Sequence, residues 1–249
     1  MNAAGLTNKG QIREQNQDAI LVSCEPLGPL PNLFIVADGV GGHNAGDIAS
    51  TQAITYVYDY IRNFQAAEFV QADNYLDLLV TAVQGANSLL CKMADEDEAM
   101  HDMGTTLTAC VVAEDKLVFA HVGDSRAYTI TDEGMTQITA DHSYVEEMIQ
   151  AGQLTAEEAL THPKRHVITR VLGSKSAFVV DEIVMPIGDT RTVLLCSDGL
   201  NNMLDDNTIK EIASGVGFVE HRTKFLVEEA NARGGHDNIS AILIDVSRK

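Results

Sequence analysis

Five aspartates of this 249-residue chain each stand at the edge of a short apolar run, and their placement constrains the fold more than any other feature. Asp38 follows Leu33-Phe34-Ile35-Val36-Ala37, Asp124 closes the run from Leu117 to Gly123, and Asp198 follows Val193-Leu194-Leu195-Cys196-Ser197. Asp18 opens Ala19-Ile20-Leu21-Val22, and Asp237 precedes the run from Ile239 to Ile244. Apolar runs of this length with β-branched content predict buried strands. A carboxylate at a strand end stands at the rim of a sheet, held by rigid backbone yet reachable from solvent. Several carboxylates gathered at one rim repel one another unless a cation neutralises them, so the pattern points to hard cations with oxygen ligands. Each aspartate alone also fits a turn, because Asp favours turns and Asp-Gly is a hairpin signal. Asp38-Gly39 and Asp198-Gly199 both carry that dipeptide. Glycine equally lets backbone come close to an ion or phosphate, so at this level both readings stand.

A hydrophobic fraction of 45% supports a substantial core, and no linker, repeat or low-complexity stretch divides the chain. One domain spanning 1–249 is expected. The four cysteines, Cys24, Cys91, Cys110 and Cys196, are scattered without a Cys-x-x-Cys pair and read as reduced core thiols of a cytoplasmic protein. The start, Met1-Asn2-Ala3-Ala4-Gly5, carries no signal-peptide pattern, and no window is apolar enough to span a membrane. A formal charge of −19 argues against nucleic acid and anionic membrane surfaces as partners.

Apolar residues at Ile54, Val57, Tyr58 and Ile61, and again from Leu76 to Leu90, predict two amphipathic helices, the second over about 73–93. Strands follow at roughly 105–113, 116–122 and 126–131, close enough together for antiparallel hairpins. Residues 141–173 interrupt them with two short helical pieces that lead into His162-Pro163-Lys164-Arg165-His166, and read as a flap-like insertion. Strands at about 178–185 and 191–197, a helix near 218–232 and a strand at 239–246 close the chain. The order suggests an α+β fold: a central antiparallel β-sandwich with helices on both outer faces.

Several motifs carry a family resemblance. Arg13-Glu14-Gln15-Asn16-Gln17-Asp18 and Asp38-Gly39-Val40-Gly41-Gly42-His43 resemble the opening motifs of the metal-dependent protein phosphatases, the type 2C serine/threonine phosphatases. Met103-Gly104-Thr105-Thr106, Val122-Gly123-Asp124-Ser125-Arg126-Ala127-Tyr128 and Thr139-Ala140-Asp141-His142-Ser143 are similar to the middle of the pattern. Val167 to Gly173, Cys196-Ser197-Asp198-Gly199-Leu200 and Gly235-His236-Asp237-Asn238-Ile239-Ser240 complete it, in family order and over essentially the whole chain. The stretch at 141–173 resembles the compact bacterial type.

The resemblance implies a dimetal site at one end of the sandwich. Asp38, Asp198 and Asp237 would hold one ion; Asp38 would bridge to a second, joined by Asp18 and the Gly39 carbonyl. Asp124 and Asp198 would take a third, weaker ion. Arg13 would bind the substrate phosphate, and His43 would give a proton to the leaving alkoxide. An all-oxygen ligand set suits Mn²⁺ or Mg²⁺ rather than zinc. Two such ions can yield a hydroxide near neutral pH for in-line attack without a phosphoenzyme. The planar Arg13 fork matches two phosphate oxygens, and an imidazole suits proton donation near neutrality. Phosphorylated proteins, among them a serine/threonine kinase, are the implied partners of a monomer. Arg126, His121 and His142 read as structural. Loss of a metal aspartate would favour a non-catalytic binding module, and none is lost. The charge of −19 argues against a two-metal nuclease.

Overall fold

A continuous apolar run can be buried on both faces only if something covers each face of its sheet, and that condition dictates the layers found here. The computed structural model describes residues 1–41, 45–64, 74–175 and 178–246. One sheet has the order β1 (Asn2–Asn8), β11 (Ile239–Asp245), β10 (Thr192–Cys196), β7 (Arg126–Ile130), β8 (Met135–Gln137). The other runs β2 (Asp18–Ser23), β3 (Leu33–Val40), β5 (Leu107–Val112), β6 (Lys116–Val122), β9 (Asp181–Pro186), with the short β4 (Gly104–Thr105) added to β3. Every pairing between these strands is antiparallel.

Alternate side chains of each run enter different apolar layers. Phe34 and Val36 of β3 meet Val193 and Leu195 of β10 and Ile242 and Ile244 of β11 between the sheets. Leu33, Ile35 and Ala37 point outward, onto α1 (Ala45–Arg62) and α2 (Tyr75–Glu96). Leu194, Cys196, Ala241 and Leu243 face the other way, beneath α5 (Asp198–Asn201), α6 (Asp206–Ala213) and α7 (Val219–Ala232). The αββα layering and α+β class expected from the sequence are thus present. No helix among the described residues is long and apolar enough to cross a membrane.

Local departures have local causes. The expected strand at 105–113 is broken at Thr106: its N–H still donates to Asp38 O at 2.8 Å, in register with β3, but the Asp38 N–H donates to the Thr106 side-chain Oγ1 at 2.9 Å. The first helix begins earlier than its apolar spacing suggested, at Ala45. The second runs Tyr75–Glu96, its expected start at 73 lying outside the described residues. The strand expected from 178 begins at Asp181. Strand β1, with no apolar run, went unread: it is a half-exposed edge strand of composition NAAGLTN. Helix α6 was also missed, although Asp205 caps it by accepting from the Thr208 N–H at 3.0 Å.

The 141–173 stretch contains α3 (Tyr144–Gln150) and α4 (Ala156–Thr161), inserted between β8 and β9. Each helix has its own N-cap: Ser143 accepts from Glu146 N–H, and Thr155 forms a reciprocal capping box with Glu158. The bridge Ser143↔Ile168 closes the stretch on itself, and Thr105↔Leu172 joins it to the sheet end at β4.

Candidate active site

Antiparallel register places Asp18 directly opposite Asp38 on β2 and β3. Like charges so placed repel. Asp38 is half-buried, and its pKa is driven well above the usual carboxylate range by burial first and then by the charges of Asp18, Asp198, Asp124 and Asp237. All five aspartates read from the sequence therefore share one field. Burial likewise raises Asp18 to about 7, against two opposing hydroxyl hydrogen bonds. It raises Asp124 to about 7, with Asp198 and Asp141 adding to the effect, and Asp198 to about 6, with Asp237 adding.

Neighbouring polar groups hold these carboxylates in place. Asp18 Oδ2, from one sheet, accepts from Ser197 Oγ at 2.7 Å, just past β10 of the other sheet, and from Ser240 Oγ of β11 at 2.6 Å. Asp38 N–H donates to Thr106 Oγ1 at 2.9 Å, and that hydroxyl pairs with Ser125 Oγ at 2.7 Å. Asn238 organises the loop that carries Arg13: Nδ2 donates to Lys9 O and Gln15 O at 2.9 and 2.8 Å, and Oδ1 accepts from Gln17 N–H at 2.8 Å. Ser197, Ser240, Thr106 and Asn238 stand inside the sequence motifs without a role of their own there. The sequence signal for them was a hydroxyl or amide next to, or opposite, a strand-end aspartate.

The two Asp-Gly pairs turn no hairpin. Gly39 lies within β3, and Gly199 lies in α5, whose first residue is Asp198. Each glycine makes room for backbone: a Cβ on Gly39 would stand 2.0 Å from Gly46 O, and one on Gly199 would stand 2.0 Å from Asn238 O. This close packing brings the start of α1 and the Asp237 loop to the rim.

Arg13 reaches the same rim, with Nη2 donating to Asp237 Oδ2 at 2.7 Å, and its side chain is 56% exposed. Asp198 and Asp38 also act on its charge. His43, the expected proton donor, lies outside the described residues, as does Gly42. Arg126 makes a bidentate pair with Asp141, Nε–Oδ1 2.9 Å and Nη2–Oδ2 2.6 Å. Asp124 and Asp198 open into a cleft of about 420 Å³ whose far wall is Val145, Ile149, Ala159 and Leu160 of α3 and α4.

The site fits divalent cations by its donor chemistry. Asp18 Oδ1 and Asp124 Oδ1 are buried, and among the described residues neither has a hydrogen-bond partner. An ionised oxygen without a partner in that setting is costly unless a cation meets it. The donors are all oxygen, as Mg²⁺ and Mn²⁺ prefer. Among the described residues no three His, Cys, Asp or Glu side chains close tightly enough to cage a single ion. The carboxylates share a field without converging on one point, and one Asp237 oxygen is engaged by Arg13.

Comparison with known proteins gives the family. The family described as protein phosphatase 2C matches residues 10–243. A relative in Listeria innocua serovar 6a, named serine/threonine phosphatase stp, is 36% identical over 245 residues, which cover 98% of this chain and 96% of the relative. A crystal structure of a bacterial serine phosphatase covers 100% of this chain and 99% of its own, with 32% identity and a TM-score of 0.92. The catalytic domain of serine threonine protein phosphatase PstP, in complex with two manganese ions, is 30% identical with a TM-score of 0.80, covering 98% and 97% of the two chains. The chain belongs to the protein phosphatase 2C family.

Proposed function

We infer that this chain is a serine/threonine protein phosphatase that hydrolyses phosphoserine and phosphothreonine monoesters in proteins, at the carboxylate rim. The observation that carries the reading is the gathering of Asp18, Asp38, Asp124, Asp198 and Asp237 into one shared field that also acts on Arg13. The names of the relatives support the substrate class.

Asp38, Asp198 and Asp237 would hold one ion, Asp38, Asp18 and the Gly39 carbonyl a second, and Asp124 with Asp198 a weaker third. Divalent ions held there supply positive charge for the phosphate oxygens and lower the pKa of a nearby water. The manganese in the PstP neighbour favours Mn²⁺, and the ligand chemistry suits Mg²⁺ equally.

Arg13 grips the phosphate through its planar fork and exchanges its Asp237 contact for phosphate oxygens. Water attacks phosphorus in line as the bond to the seryl or threonyl oxygen breaks, and His43 gives that oxygen its proton. No covalent phosphoenzyme forms, because the attacking group is water and the rim carboxylates would serve as cation ligands. The apolar wall at 141–173 lies beside the reaction and serves as a flap that contacts the protein substrate. The enzyme acts as a monomer in the cytoplasm, opposite a serine/threonine kinase; its four unpaired cysteines suit a reducing compartment.

The decisive experiment is phosphate release from a phosphothreonine peptide after EDTA treatment, then after addition of Mn²⁺ or Mg²⁺, with a DNA substrate as control. Release restored by the cation, with DNA uncut, is expected. Full release in metal-free buffer overturns the metal assignment. No release under any divalent ion, or cleavage of DNA, overturns the reading as a whole.

A further inference from the structure

His142 opens the 141–173 stretch and is 96% buried by residue, at 4% exposure, yet the chemistry above gives it no task. Two hydrogen bonds join it to Gly123, the residue before Asp124. Its main-chain N–H donates to Gly123 O at 2.8 Å, and Gly123 N–H donates to its Nδ1 at 3.0 Å. The Gly123 turn needs such a hold. Its φ of +112° lies where side chains are strained, and a Cβ there would stand 2.5 Å from Thr106.

A backbone N–H can only donate, so Nδ1 presents a lone pair and the ring proton belongs on Nε2. Asp181 Oδ2 lies 3.1 Å from Nε2 and accepts that proton's hydrogen bond. Arg170 Nη1 stands 3.1 Å from Asp181 Oδ1 and 3.2 Å from the same Nε2. Guanidinium has donors only, so with Nε2 protonated it bonds the carboxylate and not the ring. Burial lowers the His142 pKa, in the same sense as the lone pair that the Gly123 N–H requires at Nδ1. His121 packs on it with ring centroids 4.9 Å apart, anchored by Ala140 O and Thr108 Oγ1.

We propose that Asp181 fixes His142 as its Nε2–H tautomer, and that His142, through its Nδ1 lone pair, is a positioning residue for the Gly123–Asp124 turn of the carboxylate rim. Without Asp181, Arg170 would donate to Nε2, drive the ring proton to Nδ1, and set two donors against each other at Gly123. The functional half of this inference rests on Asp124 taking part in turnover, whereas the tautomer does not.

The test combines ¹⁵N-histidine NMR on the full chain with phosphopeptide kinetics at saturating Mn²⁺. The wild-type ring should carry its proton on Nε2. Asp181→Ala should move the proton to Nδ1 and lower kcat about tenfold with little change in KM, the low end for loss of a partner behind a ligand-bearing element. Asp181→Ala combined with Arg170→Leu should restore both, because no donor then competes for Nε2; a purely structural role predicts a further loss instead. Asp181→Asn keeps an acceptor for Nε2–H, should keep the tautomer and turnover, and serves if Asp181→Ala does not fold. An Nδ1–H ring in the wild type, a tautomer lost in Asp181→Asn, or a double variant that stays impaired overturns the inference. Asp124→Ala separates the two readings: unchanged turnover there removes Asp124 from the chemistry while leaving the tautomer assignment to stand or fall on the NMR.

Discussion

The carboxylate rim and the 141–173 stretch face each other across one cleft, and they are built on opposite principles. At the rim, side chains from both sheets lock one another: Asp18 on β2 is bonded by Ser197 and Ser240 from the far sheet, and Thr106 bridges Asp38 to Ser125. The helices of the stretch bury only Ala159 between them, and Leu160 is 74% exposed. Their order comes from local caps and from attachments at the base, Arg126–Asp141 and His142–Gly123. The contrast teaches where each task belongs. Displacing charge at phosphorus needs groups held to a fraction of an ångström, which two sheets can supply. A surface that accepts different protein substrates, the role proposed for the stretch, needs to be cheap to rearrange, as short capped helices are.

The strongest test of the contrast is Asp38→Asn. It should reduce kcat/KM by at least about 10³-fold, as expected when several kcal/mol of cation-based stabilisation is lost. The same change should raise the unfolding temperature of the metal-free protein, because it removes a carboxylate crowded by the charges of four others. A drop in both would mean that Asp38 is a structural residue.

Next in size is the split between His43 and Arg13. His43→Ala should lower kcat for phosphopeptides by about 10²-fold and matter less for aryl phosphates, whose leaving group needs little protonation. Arg13→Ala should chiefly raise KM, since its phosphate contact exists in bound substrate and transition state alike. Equal losses on both substrates for His43→Ala would remove it from acid catalysis.

A third, smaller effect is pH-linked. Asp18 and Asp124 sit near 7 and Asp198 near 6 in the fold, against an ordinary value of 3.8. Between these limits the native state binds more protons than the unfolded one, so stability falls as pH rises. Metal-free protein should therefore melt at a lower temperature at pH 7.5 than at pH 5, and saturating Mn²⁺ should flatten or reverse that slope. A metal-free protein that is more stable at pH 7.5 would mean that the carboxylates are not desolvated as described.

The smallest effect should come from the stretch. Thr155→Ala removes the capping box and should cost about 1 kcal/mol, seen as faster amide exchange confined to α4. Leu160→Ser should alter the ranking of phosphoprotein substrates while sparing aryl phosphates. A uniform loss on all substrates would make the stretch part of the catalytic frame.

Much of this was legible in the chain. Unbroken runs such as Leu33–Ala37 and Val193–Cys196 announced strands buried on both faces, and hence helices on both sides of a sandwich. Strand-end position brought out all five aspartates, since a residue that ends an apolar run must lie at the rim of the sheet. The edge strand β1 was not legible, because its order comes from pairing with β11 and not from apolar side chains of its own. Nor was the function of the glycines in Asp38-Gly39 and Asp198-Gly199: a turn and a close backbone contact need the same residue, and only the approach of Gly46 O and Asn238 O tells them apart.

His142 marks the boundary most clearly. Its place in Asp141-His142-Ser143 said only that a histidine stood beside an aspartate. Sequence determines which groups can donate, accept or carry charge. A tautomer depends on what faces each ring nitrogen, and here Gly123, Asp181 and Arg170 arrive from three separate segments. That meeting belongs to the tertiary structure alone, because hydrogen bonding acts over about 3 Å whatever the distance along the chain.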